Sequence, residues 1–262
     1  MCNGFSKIDG FSKINGFVDQ KDLVTLRSVL AKLACVQARR LGIPAAYEYF
    51  NGKEDLTPQD FVYLADACPQ VLTLVINTFM QTAAFKSFVH NESYLKYIAD
   101  NVFGGNCLDQ LVVTEENFRV DLPAEFKAEK QRFSLSWHQE SGYFENYVSH
   151  SRGVVIWIPL FNTLEESGSL RFFPGSHLLG PVSHNKYYAD TKNKKNMRSE
   201  VDIEKYGLDI KDSLVLSVKA GDAIIFDFNL IHASGHNNAQ DFARCTIQSR
   251  VSLFSDAGFR TP

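Results

Sequence analysis

The stretch "SLSWHQESGYF" (residues 134–144) sets His138 and Glu140 two positions apart, among aromatic residues. On a strand, residues i and i+2 face the same side, so this imidazole and this carboxylate would project together. Both are metal-ligating types, and a third ligand is available 94 positions downstream: His232, in "FDFNLIHASGHNN", ends a strand-like run ahead of a Gly/Asn-rich turn. Two histidines and one carboxylate, the first pair on one strand and the third ligand on a distant one, make up the facial set that holds non-haem Fe(II) and leaves coordination positions open. Arg244 follows His232 by twelve residues on the expected last strand. Its guanidinium suits the bidentate grip on a carboxylate that a 2-oxo acid cosubstrate requires.

Strands must carry these residues, and the sequence supplies them from about residue 130. "RFSLSWHQE", "GVVIWIPLF", "GSLRFFPGS", "DSLVLSVKAGDAIIFDF" and "RCTIQSRVSLF" are rich in Val, Ile, Phe and Ser and are separated by Gly, Pro and Asn. Up to about residue 103 the reading is helical. Leu23, Leu26, Leu30 and Leu33 recur at helical spacing, Thr57 caps a helix that has Pro58 at its first position, and "SYLKYIADNVF" forms a short helix. The near-repeat "NGFSKI/DGFSKI" is too short for a solenoid and reads as a strand-like lead-in. Residues 184–212 are polar and lysine-rich, either a lid or a solvated excursion. The expected fold is therefore mainly β with flanking helices, in a single domain of 1–262. Residues 1–103 give helical support, 130–254 the β core, and 184–212 an insertion.

Composition narrows the function. With 262 residues and 45% hydrophobic content the chain can bury one full core. A net charge of −3 lacks the basic footprint of a nucleic-acid binder. Five scattered cysteines without a CxxC pair fit neither a disulfide framework nor a thiolate zinc site, and point to a reducing, cytoplasmic setting. With no signal-type apolar core and no long apolar run, the reading is a soluble protein without a membrane partner.

"WHQES", "VIWIPLFNTLEESGSLRFFPGSH" and "GDAIIFDFNLIHASGHNNAQDFAR", in that order, resemble the three signature blocks of the phytanoyl-CoA dioxygenase family of Fe(II)/2-oxoglutarate oxygenases. With the strands between them they span residues 130–254. The resemblance implies a double-stranded β-helix, a cupin-like jelly roll, with His138, Glu140 and His232 as iron ligands. Arg244 would pair with the distal carboxylate of 2-oxoglutarate, and Ser234 would add a hydroxyl to it. It further implies a dioxygenase using Fe(II), 2-oxoglutarate and O2, which hydroxylates an unactivated carbon of a small molecule and releases succinate and CO2. His177 matches the family's PGSH histidine, read as shaping a turn; His150 and His236 carry no role.

The sequence departs from the family in two places. Glu140 stands where Asp is usual; Gly or Ala there would have pointed to halogenation, whereas a carboxylate keeps hydroxylation. Arg244 lies one residue farther from His232 than the common spacing, so Arg250, on the same strand face but roughly 20 Å along it, stays a competitor. Trp137, Tyr143, Phe144 and Trp157 are candidates to line the pocket. Lys186, Lys192, Lys194, Lys195 and Arg198 would suit an anionic or carrier-linked substrate, though a solvated charge run is the favoured explanation. Two alternatives are a cupin-type metalloprotein that uses another metal without 2-oxoglutarate, and a non-catalytic relative.

Overall fold

In the computed structural model, which describes residues 5–126, 135–143, 153–190 and 195–256, the leucine spacing builds α1 (Gln20–Arg40). Asp19 caps it by accepting from the Lys21 backbone N–H, and Leu23, Leu26 and Leu30 are buried. Then come α2 (Pro44–Phe50), α3 (Pro58–Ala67), α4 (Pro69–Phe79), α5 (Ala83–Val89) and α6 (Glu92–Asn101). Thr57 and Asp60 form a capping box on α3, with Pro58 in its first turn. Asn91 caps α6, satisfying the Ser93 and Tyr94 N–H groups, so that helix starts before Ser93. Among the described residues no helix is long and apolar enough to cross a membrane.

The strands are β1 (Phe11–Ile14), β2 (Leu111–Asp121), β3 (Gly153–Pro159), β4 (Leu170–Phe172), β5 (Asn185–Asp190), β6 (Lys195–Glu200), β7 (Leu214–Val215), β8 (Ala223–Asp227), β9 (His232–Ser234) and β10 (Arg244–Leu253). They form an antiparallel five-stranded sheet in the order β1-β8-β3-β10-β2, a smaller sheet β7-β4-β9, and the hairpin β5-β6. Strand alternation sorts the large sheet's side chains. Val154, Ile156 and Ile158 of β3 join the helices in one core, while Val155 and Trp157 face Leu170 and Phe172 of the small sheet in another. The two facing sheets make a double-stranded β-helix that is not a closed barrel.

The structure bears out some elements of the sequence reading and adds to others. The second copy of the near-repeat becomes β1, paired with β8 from Phe11↔Phe226 to Ile14↔Ala223. Residues 7–9, where the first copy meets the second, pack on the PGSH turn: the His177 Nε2–H donates to the Lys7 carbonyl at 3.0 Å and the Gly175 N–H to the Asp9 carbonyl at 2.9 Å. His177 therefore shapes a turn and anchors the N-terminal segment. β2 precedes the expected β region yet lies beside β10; its sign in the sequence was the alternation of Phe118, Val120 and Leu122 with Asn117, Arg119 and Asp121. Residues 184–212 hold the β5-β6 hairpin and two short 3-10 turns rather than a bare loop.

Candidate metal centre

His138 does not sit in a regular strand. It makes a single bridge to His232, each backbone N–H donating to the other's carbonyl at 2.9 and 3.0 Å, and Glu140 already begins a 3-10 turn. The two ligands of the HxE pair thus converge through a bridge and a turn, not through strand alternation. The result is the expected cluster: one ligand atom from each of His138, Glu140 and His232 lies within 4.8 Å of the others, all three residues buried. The imidazole centroids are 4.1 Å apart, and His232 Nε2 is 3.9 Å from Glu140 Oε1.

Each ring is oriented by its other nitrogen. The His138 Nδ1–H donates to the Ser136 carbonyl at 2.7 Å and the His232 Nδ1–H to the Leu230 carbonyl at 2.9 Å. A carbonyl only accepts, so Nδ1 carries the proton and Nε2 keeps its lone pair toward the cluster, as a metal requires. Burial, reinforced by His232, pushes the His138 pKa well down; burial also lowers His232, against the opposing pull of Glu140. Burial pushes Glu140 upward, but the Arg250 charge, which is also hydrogen-bonded to the carboxylate, leads the opposing interactions and the carboxyl is held at about 2. Neutral imidazoles beside an ionised carboxylate are the protonation states of a ligand set.

Gln139, fully buried between the two ligands, ties their segment to the rest of the fold. Its side-chain amide donates to the Gly180 carbonyl at 2.9 Å and the Asn229 carbonyl at 2.6 Å, and accepts from the Val182 N–H at 2.9 Å. Its backbone N–H donates to His184 Nε2 at 3.1 Å, while the His184 Nδ1–H donates to the Val182 carbonyl at 2.7 Å. His184 packs so closely that a Cβ on Gly142 would lie 2.5 Å from its Nε2, which explains the glycine there. The hairpin docks on the same segment through Val201 N–H to the Trp137 carbonyl at 2.7 Å. Neither Gln139 nor His184 was singled out in the sequence, because their partners are backbone groups about 40 to 90 positions away.

The two arginines of β10 have separate partners. Arg250 grips Glu140, with Nη2 at 3.0 Å from Oε1 and Nε at 3.2 Å from Oε2. Arg244 binds Asp121 Oδ2 at 2.6 Å, and Arg119 binds the other oxygen at 3.2 Å. Burial raises the Asp121 carboxyl, but Arg244 and Arg119 bring it below the ordinary value. Neither Asp121 nor Arg119 was foreseen as part of the site. Ser234 shares the face of His232 on β9. Among the aromatic candidates, Tyr143 sits edge-on to His138 at 5.5 Å and Trp157 lies on the inner sheet face. Trp137 turns away, against Phe173 at 4.4 Å, because it neighbours His138 on an extended segment and takes the opposite side. His236 is exposed. Phe144, His150, Lys192, Lys194 and the Lys195 side chain lie outside the described residues.

Two observations test whether these residues fit an iron and an oxo acid. His138 Nε2 is buried without a hydrogen-bond partner, as a metal ligand would be. Arg244 Nε and Nη1, Thr246 Oγ1 and Trp157 Nε1 are also buried without partners. All lie on the inner face of β10 and its neighbour β3, a set of polar groups suited to an anionic ligand. A buried His-Glu-His cluster at the mouth of a double-stranded β-helix defines a metal-dependent oxygenase of the Fe(II)/2-oxoglutarate type. The chain belongs to the phytanoyl-CoA dioxygenase (PhyH) family, whose model matches residues 7–245. None of the curated proteins matches it.

Solved structures share the fold. EvdO2 from Micromonospora carbonacea var. aurantiaca, complexed with 2-oxoglutarate, is 16% identical with a TM-score of 0.58, covering 98% of this chain and 91% of its own. The non-heme monooxygenase ThoJ, in its apo form, is 16% identical with a TM-score of 0.58, over 94% of this chain and 75% of its own. The epimerase SnoN from nogalamycin biosynthesis, in complex with Fe3+, alpha ketoglutarate and nogalamycin RO, is 14% identical with a TM-score of 0.54, over 94% of this chain and 80% of its own.

Proposed function

We propose that this protein is an Fe(II)/2-oxoglutarate-dependent dioxygenase that hydroxylates an unactivated carbon of a small molecule. His138, Glu140 and His232 hold the iron. Arg244, with Ser234, receives the distal carboxylate of 2-oxoglutarate. The observation that carries this reading is the pairing of a buried three-ligand cluster with an inward arginine whose Nε and Nη1 have no partner among the described residues. Bound there, iron and 2-oxoglutarate supply an oxidant from O2, with succinate and CO2 as by-products.

The chain's own residues supply geometry and shielding. The carbonyls of Ser136 and Leu230 fix which imidazole nitrogen faces the metal. Asp121 holds the Arg244 guanidinium through Nη2 and leaves Nε and Nη1 as buried donors open to a carboxylate. Tyr143, its phenol pushed up to about 12 by burial and by Glu140, stays protonated beside His138 and acts as a neutral wall and hydrogen-bond donor. Lys186 and Arg198 lie on the hairpin that covers the ligand segment and favour an anionic or carrier-linked substrate. The four described cysteines are free thiols, which suits a cytoplasmic setting.

Anaerobic addition of Fe(II) and 2-oxoglutarate to the full chain should raise the weak visible charge-transfer band of the chelate, and His138→Ala should abolish it. A well-folded wild-type chain without the band would refute the proposal. Because SnoN is an epimerase, product mass decides the reaction: a gain of one oxygen atom supports hydroxylation, and an unchanged mass with succinate release replaces it with epimerisation.

A further inference from the structure

The geometry points to Arg250 as the residue that positions the ligand carboxylate, a role distinct from that of Arg244 and resting on the metal reading above. Its guanidinium meets both oxygens of Glu140, Nη2 at 3.0 and 3.2 Å and Nε at 3.2 Å. A two-pronged grip on a carboxylate fixes its plane as well as its distance. Oε1, the oxygen nearer His232 at 3.9 Å, is thereby held toward the imidazoles.

The backbone is shaped to hold this guanidinium. Between β10 and β2 the pairing jumps from Gln248↔Asn117 to Arg250↔Thr114, so β2 spends one more residue than β10 across this interval. At that bulge Glu115 adopts a φ of 48°, a left-handed conformation unfavourable for a side-chain-bearing residue. The strained turn brings the Glu115 carbonyl to the Arg250 Nη1–H, which donates to it at 2.9 Å. Bulge, strained residue and bidentate pair therefore converge on one atom group, and that group touches a metal ligand.

The same contact accounts for Glu at this position. Its extra methylene carries the carboxylate outward from the turn, and Arg250 takes up that longer arm and stops it from swinging away from the imidazoles. Arg250 lies beyond the residues matched by the family model, which end at 245. Arg250 is a positioning residue; it acts on the metal through Glu140.

The test is anaerobic Co(II) titration of the metal-stripped full chain, read by the d–d absorption bands and by competition for Kd. Removing the support of a metal ligand lowers metal affinity by about 10–100-fold. Arg250→Lys keeps the charge and loses the fork; it should weaken Co(II) by that factor and change the band shape in a chain that still folds by circular dichroism. Arg250→Gln should lose more; if it does not fold, Arg250→Lys decides alone. Folded Arg250→Lys with wild-type Kd and bands would overturn the inference. No Co(II) binding by the wild-type chain would instead overturn the metal reading itself.

Discussion

Gln139→Met should destabilise the protein by about 4 to 6 kcal/mol, more than any conservative surface change would. Methionine fills nearly the same volume, so the loss isolates the hydrogen bonds from any cavity. Gln139 makes three short side-chain bonds, to Gly180, Asn229 and Val182, beside a long one accepted from the Ser141 hydroxyl at 3.5 Å. At about 1 kcal/mol each their net loss is about 3 kcal/mol, and a carbonyl stranded in the interior adds a penalty of about 1–3 kcal/mol. Of the two backbone carbonyls it satisfies, only that of Asn229 is reached by a fully buried bond, which limits that penalty to one group and sets the upper figure. Against a typical domain stability of about 5–15 kcal/mol this is a large fraction. Guanidinium denaturation should show a lower midpoint at an unchanged slope. Because the residue lies between both proximal ligands, Co(II) affinity should fall with it. A loss under about 1 kcal/mol would refute the view that this amide holds the ligand segment.

Arg244→Met should raise the 2-oxoglutarate KM by about 10–100-fold, the weight of a charge-assisted pair of about 1.5–3 kcal/mol, and leave Co(II) affinity near wild type; a matching loss of metal binding would contradict the separation of the two arginines. The metal-stripped protein should lose stability on acidification in two ranges. Folding lowers the pKa of His138 and His232, so the unfolded chain takes up protons first and stability falls as pH drops below the ordinary histidine value of 6.5. Glu140, held at about 2 against 4.5 when unperturbed, stabilises the fold above 4.5 and loses that contribution between these values. Urea melts from pH 8 to pH 3 should show both ranges, and a stability flat from pH 7 to pH 5 would contradict buried neutral imidazoles.

The members of the buried cluster were legible in the sequence because they are a matter of residue type and order: an HxE pair and a histidine before a turn, followed by an arginine on a strand rich in Val, Ile and Ser. So were the inner and outer faces of β3 and β10, since strand alternation is local. What each buried charge touches was not legible. Arg244 and Arg250 share one face by periodicity, yet one meets Asp121 from 123 positions away and the other Glu140 from 110. Those partners depend on the register of β10 against β2, including a bulge, and on a ligand segment that leaves strand geometry after a single bridge. A chain specifies its periodicity residue by residue, but only the assembled sheets bring together side chains so far apart, and that proximity is what gives a buried charge its partner.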